Sequence, residues 1–314
     1  MCDTRRAVID VGTNSIKLLV ADVLDGTVEP VWEQSEQTRL GTGFFASNRL
    51  QPESIRQTAR AVASFAAKAR ELNAASLRVI ATSAARDAIN PGDLTSAIER
   101  ESGLKVEIIS GEQEAGWVYQ GVTTNPELSR GPLLLLDVGG GSTEFILGEG
   151  GQKKFARSFQ LGTVRLMEKL PHSDPPTMQE LTATREFVKT FLEREVCSEL
   201  KAALGGMANS GATMQLVGTG GTAAILARME GRLETYDRKL IEGMRISRAR
   251  ISAQVERLWS VPLASRRTII GLPKSRADII LTGVVIYEAV MEIFGFSELR
   301  ISSRGLRFAA VQSN

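Results

Sequence analysis

At 314 residues the chain is long enough for two domains of ordinary size, each with a sizeable core. A composition of 43% hydrophobic and 24% charged residues excludes a disordered or fibrous chain, and 38 Lys and Arg against 36 Asp and Glu give no reason to expect nucleic-acid or membrane binding. Any anion site must be local. Cys2 and Cys197 lie far apart with no CxxC spacing, which argues against a disulfide framework or a thiolate zinc site and fits a reducing cytoplasm. No apolar run reaches the length of a membrane span, and Ala7 to Asp10 is too short for the core of a signal peptide. The only histidine, His172, sits in the turn-like Pro171 to Pro176 and reads as a surface loop residue, so His-based triads and His-rich metal sites are not expected.

In chain order, the first predicted element is a β-hairpin, an apolar strand ending at Asp10, the turn Gly12-Thr13-Asn14-Ser15, and a second apolar strand through Val20. A basic turn at Arg39-Leu40-Gly41 follows. A helix from about Pro52 to Leu72, a strand Leu77 to Ala81, a short helix and a strand Val106 to Ile109 complete the first domain. Gly121 to Pro132 is the expected linker. A second hairpin covers Leu133 to Leu147, then a strand near Phe155 to Phe159 and one long helix from about Thr177 to Leu204. Gln215 to Val217 is a strand leading into Gly218-Thr219-Gly220-Gly221-Thr222, with a helix from Ala223. Arg248 to Trp259 and Asp278 to Phe294 read as helices and Leu299 to Ile301 as the last strand. Gly305 to Gln312 is predicted helical and able to return to the first domain. Met207, Met214 and Met229 read as core or loop packing.

The two hairpins are one pattern written twice. Ile9 to Val20 aligns without gaps on Leu136 to Leu147, an offset of 127 residues (137 − 10). Each copy has an Asp at the strand end, glycine in the turn and a serine after it, Ser15 or Ser142. A glycine turn exposes backbone amides that can converge on a phosphate oxygen, and the carboxylate beside it can hold a cation. Taken singly, each reads equally as a tight hairpin turn; two matched copies favour phosphate. The order of elements implies an α/β protein of two similar domains, divided at 1–124 and 125–304 with 305–314 able to pack on the first.

Other candidates are carboxylates and cations. Asp10, Asp137 and Glu144 lie on the hairpins, and oxygen ligands suit Mg2+. Glu114 follows Ile109-Ser110-Gly111 at the start of a helix, where a structural first-turn role competes with a catalytic one. Lys17, Arg39, Arg86 and Arg165 each adjoin a turn rich in Gly, Ser or Thr, and Arg86 is favoured for phosphate oxygens. The Gly218 to Thr222 segment is a third anion-binding geometry, lacking both the P-loop lysine and the Rossmann spacing.

With these residues in view, the chain resembles the exopolyphosphatase and guanosine pentaphosphate phosphatase family. The motifs are Asp10 to Ser15, Arg39 to Gly41, Ala81 to Arg86, Ile109 to Ala115, Asp137 to Glu144, Gly218 to Thr222 and Pro273 to Asp278. The resemblance implies two ribonuclease-H-like domains of the actin, sugar-kinase and Hsp70 ATPase superfamily with an interdomain cleft, Asp10 and Asp137 on its opposite walls. It implies that Glu114 is the general base; Arg86, favoured from its own turn, is read beside it as the catalytic group that stabilises transition-state charge. Phosphate binding falls to Gly12, Thr13, Asn14, Ser15, Lys17, Arg39, Gly139, Gly140, Gly141, Ser142, Thr143 and Gly220, and metal binding to Asp137, Glu144 and Asp10. The family's Gly-Leu-Arg-Glu-Gly stands here as Gly305-Leu306-Arg307-Phe308-Ala309, without its acid, and the resemblance is expected to be to the family's short form, without the helical HD-like extension of longer members.

The implied activity is hydrolysis of the terminal phosphate of polyphosphate or of the 5′-γ phosphate of guanosine pentaphosphate with Mg2+, in the cytoplasm, with a link to the stringent response and a homodimer left open. A phosphate-chain or (p)ppGpp binding protein with little turnover and a sugar-kinase-like phosphotransferase are the alternatives.

Overall fold

The computed structural model describes residues 4–205 and 213–313. Cys2 and Met207 lie outside the described residues. By its contacts the chain divides into two compact units, Met1–Thr124 with Gly305–Asn314, and Asn125–Arg304.

The first unit opens with β1 (Thr4–Val11), β2 (Ile16–Leu24) and β3 (Thr27–Glu36), an antiparallel meander. The helix α1 (Pro52–Glu71) starts where Pro52 stands in its first turn and buries Ile55, Ala59, Val62, Phe65, Ala66 and Ala69, one stripe at helical spacing. After it come β4 (Ser76–Ala81), α2 (Ser83–Asp87), α3 (Pro91–Ser102), β5 (Val106–Ile108) and α4 (Gly111–Thr123). The sheet runs β3-β2-β1-β4-β5, with β1, β4 and β5 parallel. Residues Ala7 to Val11 of β1 are all buried, as a central strand covered on both faces requires.

The second unit contains α5 (Pro126–Ser129), β6 (Leu133–Val138), β7 (Thr143–Glu149), β8 (Gln152–Phe159), α6 (Thr163–Lys169) and α7 (Met178–Phe191). The run continues as a π-helical turn, Leu192–Val196, into α8 (Cys197–Gly205), so the single long helix read from the sequence is a helix interrupted by one widened turn. Next are β9 (Gln215–Thr219), α9 (Gly220–Glu230), α10 (Arg238–Ile241), β10 (Arg245–Ser247), α11 (Arg248–Trp259), α12 (Leu263–Arg266), α13 (Ile280–Ile293) and β11 (Glu298–Ile301). The last helix, α14 (Leu306–Gln312), belongs to the first unit and packs on α4. The second sheet runs β10-β11-β9-β6-β7-β8. Apart from the added edge strand β10, its order and directions repeat those of the first sheet.

The repeat extends to irregularities. The pairing of the second strand with the third slips between Val20 and Ala21 in one unit and between Leu147 and Gly148 in the other, positions 127 residues apart (147 − 20). Each unit has its own apolar core, Ile9, Leu18, Val62 and Phe65 in the first and Leu136, Phe145, Leu226 and Val285 in the second.

Three features depart from the sequence expectation. The stretch Gly121 to Pro132 does hold the division between the units, at Thr124 and Asn125, but it is largely helical, with α4 continuing to Thr123 and α5 beginning at Pro126. Strand β3, helix α6 and the three-residue β10 were not foreseen: β3 is polar on most of its positions, and the other two are short. The glycine segment after β9 is already helical from Gly220, three residues before the expected start. His172 lies in the loop between α6 and α7, partly exposed, its ring edge-on to Trp259 at 5.7 Å. Met229 joins the second core, and Met214 packs against it.

Candidate active site

Both hairpin turns are closed in the same way. The amide of Gly12 donates to the Ser15 carbonyl at 3.1 Å, and that of Gly139 to the Ser142 carbonyl at 2.9 Å. A Cβ on either glycine would stand 3.0 Å from the same carbonyl oxygen, so any side chain there would force the turn to shift by a few tenths of an ångström. Neighbouring segments then occupy the other turn carbonyls. In the first turn, Thr13 accepts from the Gly41 amide (2.7 Å) and Asn14 from the Arg39 amide (3.0 Å); in the second, Gly139 accepts from Thr163 (2.9 Å) and Gly140 from Val164 (2.8 Å). The Gly12 and Gly139 amides are themselves spent on closing the turns, so a ligand would have to be met by the amides that follow them.

In the first unit, the Arg39 to Gly41 segment docks directly on Thr13 and Asn14, which explains its place among the motifs; Arg39 itself takes φ = 50°. The buried side chain of Asn14 has an Nδ2 with no partner, and Ser83 Oγ, just past the end of β4, is likewise buried and unpartnered. Asp10 is 8% exposed, and its Oδ1 has no partner. Burial raises its pKa, offset in part by the charges of Lys17, its cross-strand neighbour, and Arg307.

Arg86 and Glu114 come together. Arg86 Nη1 donates to Glu114 Oε2 at 2.8 Å and to the Ile109 carbonyl at 3.2 Å, binding the short α2 to the first turn of α4. Ser110 caps α4, accepting from the Gln113 amide at 3.1 Å. Within that turn Glu112 is exposed whereas Glu114 is 8% exposed. A carboxylate serving only the helix dipole has no reason to be buried.

In the second unit, Asp137 and Glu144 are cross-strand partners and share a face of the sheet. Asp137 presses on Gly220, where φ is +81° and a Cβ would overlap Asp137 Oδ1. The carboxylate therefore sits beside the N-terminal turn of α9, whose unpaired amides favour a negative charge. Thr222 Oγ1 donates to the Val138 carbonyl (2.9 Å) and fastens α9 to the end of β6. Glu144 is 2% exposed, with its Oε1 accepting from Ser142 Oγ (2.9 Å) and Ser158 Oγ (2.7 Å). Arg165 Nε donates to the Gly141 carbonyl at 2.8 Å, and Thr143 Oγ1 to the Leu161 carbonyl.

Lys17 and Glu144 occupy the same position of the repeated hairpin, so Asp10 faces an ammonium group where Asp137 faces a second carboxylate. Among the described residues no three His, Cys, Asp or Glu side chains gather as a ready-made metal cluster. The fit to Mg2+ is still good, since that ion needs only one or two carboxylates and takes its remaining oxygens from substrate and water. The unpartnered, buried Oδ1 of Asp10 and the paired acids of the second hairpin are oxygen donors of the right type.

Several contributors were not singled out from the sequence. Arg307 donates to the Leu18 carbonyl (2.9 Å) and pairs with Glu33 (3.2 Å); it lies in a quoted motif, which was the available signal. Ser158 carries no local signature. Arg276, within Pro273 to Asp278, lays its guanidinium on Gly221, where a Cβ would stand 2.6 Å away.

Two sheets of order 3-2-1-4-5, each with a glycine turn after its first strand, define an α/β protein of two ribonuclease-H-like units, the fold of the actin, sugar-kinase and Hsp70 ATPase superfamily. The Ppx/GppA phosphatase family matches residues 19–312, and the chain belongs to that family. It is 32% identical over 323 aligned positions to exopolyphosphatase 2 of Mycobacterium tuberculosis, covering 98% of this chain and 97% of that protein. It is 33% identical over 164 residues to a guanosine-5'-triphosphate,3'-diphosphate pyrophosphatase of Vibrio cholerae, 52% of this chain and 33% of that one. The crystal structure of the Aquifex aeolicus family member superimposes with a TM-score of 0.78 at 29% identity, covering 99% of this chain and 97% of that one.

Proposed function

We propose that the protein hydrolyses a terminal phosphoanhydride, of inorganic polyphosphate or of guanosine pentaphosphate, by direct attack of water. The observation that carries this reading is the buried Glu114 carboxylate held by Arg86 at the first turn of α4. Family membership and the names of the similar proteins point the same way.

Glu114 takes the proton from water as the water oxygen bonds to the terminal phosphorus, and the bridging oxygen leaves with the shortened chain. No covalent enzyme intermediate is required. Arg86 orients the Glu114 carboxylate and adds positive charge near the transferring group. The two turns Gly12 to Ser15 and Gly139 to Thr143, through the amides that follow the turn-closing Gly12 and Gly139, together with Asn14 Nδ2, Lys17, Arg39 and the Gly220 turn, bind phosphate oxygens. Asp137, Glu144 and Asp10 are the acids that would hold Mg2+, which when bound would supply charge neutralisation to the phosphates. The buried free thiol of Cys197 suits a reducing compartment such as the cytoplasm.

The test is a side-by-side phosphate-release assay on short polyphosphate, long polyphosphate, guanosine pentaphosphate and ATP, with Mg2+ and with chelator. Release from polyphosphate or guanosine pentaphosphate that stops with chelator supports the reading. ATP consumption that depends on an added sugar, with no release from the other substrates, overturns it in favour of a kinase.

A further inference from the structure

Arg165 is one of the cations that the sequence offers for phosphate oxygens, and the structure gives it another partner. From the first turn of α6, its Nε donates to the Gly141 carbonyl at 2.8 Å. The rest of that helical turn reaches the same loop. The Thr163 amide donates to the Gly139 carbonyl at 2.9 Å, and the amides of Val164 and Arg165 donate to the Gly140 carbonyl at 2.8 and 3.1 Å. Gly162, just before α6, allows this approach, since a Cβ there would overlap the Gly140 and Gly141 backbone. Behind α6, Thr282 Oγ1 of α13 donates to the Thr163 carbonyl at 2.9 Å and helps to fix the helix in place.

In a planar trans peptide the C=O and the N–H of the next residue point in opposite directions. Holding the carbonyls of Gly139, Gly140 and Gly141 toward α6 therefore turns the amides of Gly140, Gly141 and Ser142 away from it. None of these three amides donates to a backbone carbonyl among the described residues. They are the N–H groups left to meet an anion. The first turn is held differently, because the carbonyl of Asn14, which matches Gly141 in the repeat, accepts from the Arg39 amide at 3.0 Å. In the second turn a side chain takes that place, so a substitution can remove it.

We infer, on the reading that the second turn binds phosphate, that Arg165 is a positioning residue: its Nε holds the peptide between Gly141 and Ser142 so that the Ser142 amide joins those of Gly140 and Gly141 in facing the phosphate. It acts through the backbone of the turn and does not lay its charge on the substrate.

Arg165→Gln leaves an N–H donor at the same depth of the side chain and removes the charge, whereas Arg165→Met has the same reach and no donor. Arg165 is partly exposed, so both variants are expected to fold. The unaltered protein and both variants, labelled with 15N at glycine and serine, are titrated with inorganic phosphate in the presence of Mg2+ while the amide resonances of Gly140, Gly141 and Ser142 are followed. KM and kcat are measured on the same preparations with the substrate preferred in the phosphate-release assay. Phosphate is expected to move the three resonances of the unaltered protein. Arg165→Met should weaken phosphate binding and raise KM by roughly tenfold, as for one lost hydrogen bond that orders the turn, and Arg165→Gln should restore most of both. Equal loss in the two variants overturns the positioning role, because only a charge laid directly on the substrate fails in both alike. Unchanged phosphate affinity and KM in Arg165→Met also overturns it, whatever happens to thermal stability. Resonances of the unaltered protein that stay in place at saturating phosphate overturn the reading of this turn as a phosphate site, and the role of Arg165 with it.

Discussion

Glu112 and Glu114 share a helical turn and a charge, yet one is solvated and the other is buried against Arg86. That difference is the ground on which Glu114, and not Glu112, is proposed as the general base. Glu114→Gln keeps the shape and removes the base, so kcat for phosphate release should fall by about 100-fold or more with KM little changed. Retention of full kcat at saturating substrate and Mg2+ would falsify the assignment. Gly220 makes a second prediction at this scale. Its φ of +81° is strained for any other residue, and a Cβ would overlap Asp137 Oδ1. Gly220→Ala should therefore lose about 1–3 kcal/mol in urea unfolding and also lose phosphate release, because relief requires Asp137 to move. The motif glycines and acids were legible as residue types at fixed spacing. The unpartnered atoms of Asp10, Asn14 and Ser83 were not, since they depend on which neighbours fail to reach them.

The two hairpins show how far a local pattern carries. Identical turn closure and an identical register slip follow from identical spacing. Their chemistry diverges at one matched position, Lys17 against Glu144, which leaves the second hairpin the more acidic. That divergence could be read from the gapless alignment once the strands were known to pair Asp10 with Lys17 and Asp137 with Glu144. Helix α7 offers an element-scale prediction. Thr177 and Glu180 form a capping box, and amide donors from Thr177 and Ser173 hold the Glu180 pKa down at about 2. A lowered carboxylate stabilises the fold above its unfolded value of 4.5 and loses that contribution as pH falls toward about 2. Glu180→Gln should thus flatten the acid limb of the stability curve between those values, as followed by circular dichroism during acid titration. An unchanged acid limb would contradict the box. Strand β3 escaped the sequence because an edge strand exposes most of its residues and shows little apolar periodicity.

At the scale of the molecule, the last helix belongs to the first unit. Arg6 donates to the Gln312 carbonyl (2.8 Å), Arg307 binds β2 and β3, and Phe308, where the family carries an acid, is 2% exposed on a helix packed against α4. The tightest point is Gly121 on α4, where a Cβ would overlap the Gly305 backbone. Glycine to alanine inside a helix ordinarily stabilises by about 0.5–1 kcal/mol. Here the sign should reverse, and Gly121→Ala should unfold at lower denaturant than the parent; a gain in stability would show that α14 does not hold this approach.

By itself the sequence determined the duplicated β-hairpins, the α/β class, the family and the residue types of the candidate site, because each depends on short-range spacing, and chain chemistry is local. Only the tertiary structure decided that Glu114 is buried and held by Arg86, that Asp137 lies against the first turn of α9, and that Phe308 is a core residue on a helix packed against α4. The close approaches behind them join residues 28, 83 and 184 positions apart (114 − 86, 220 − 137, 305 − 121). Burial and pairing at such separations are properties of the packed chain, and no periodicity along the sequence encodes them.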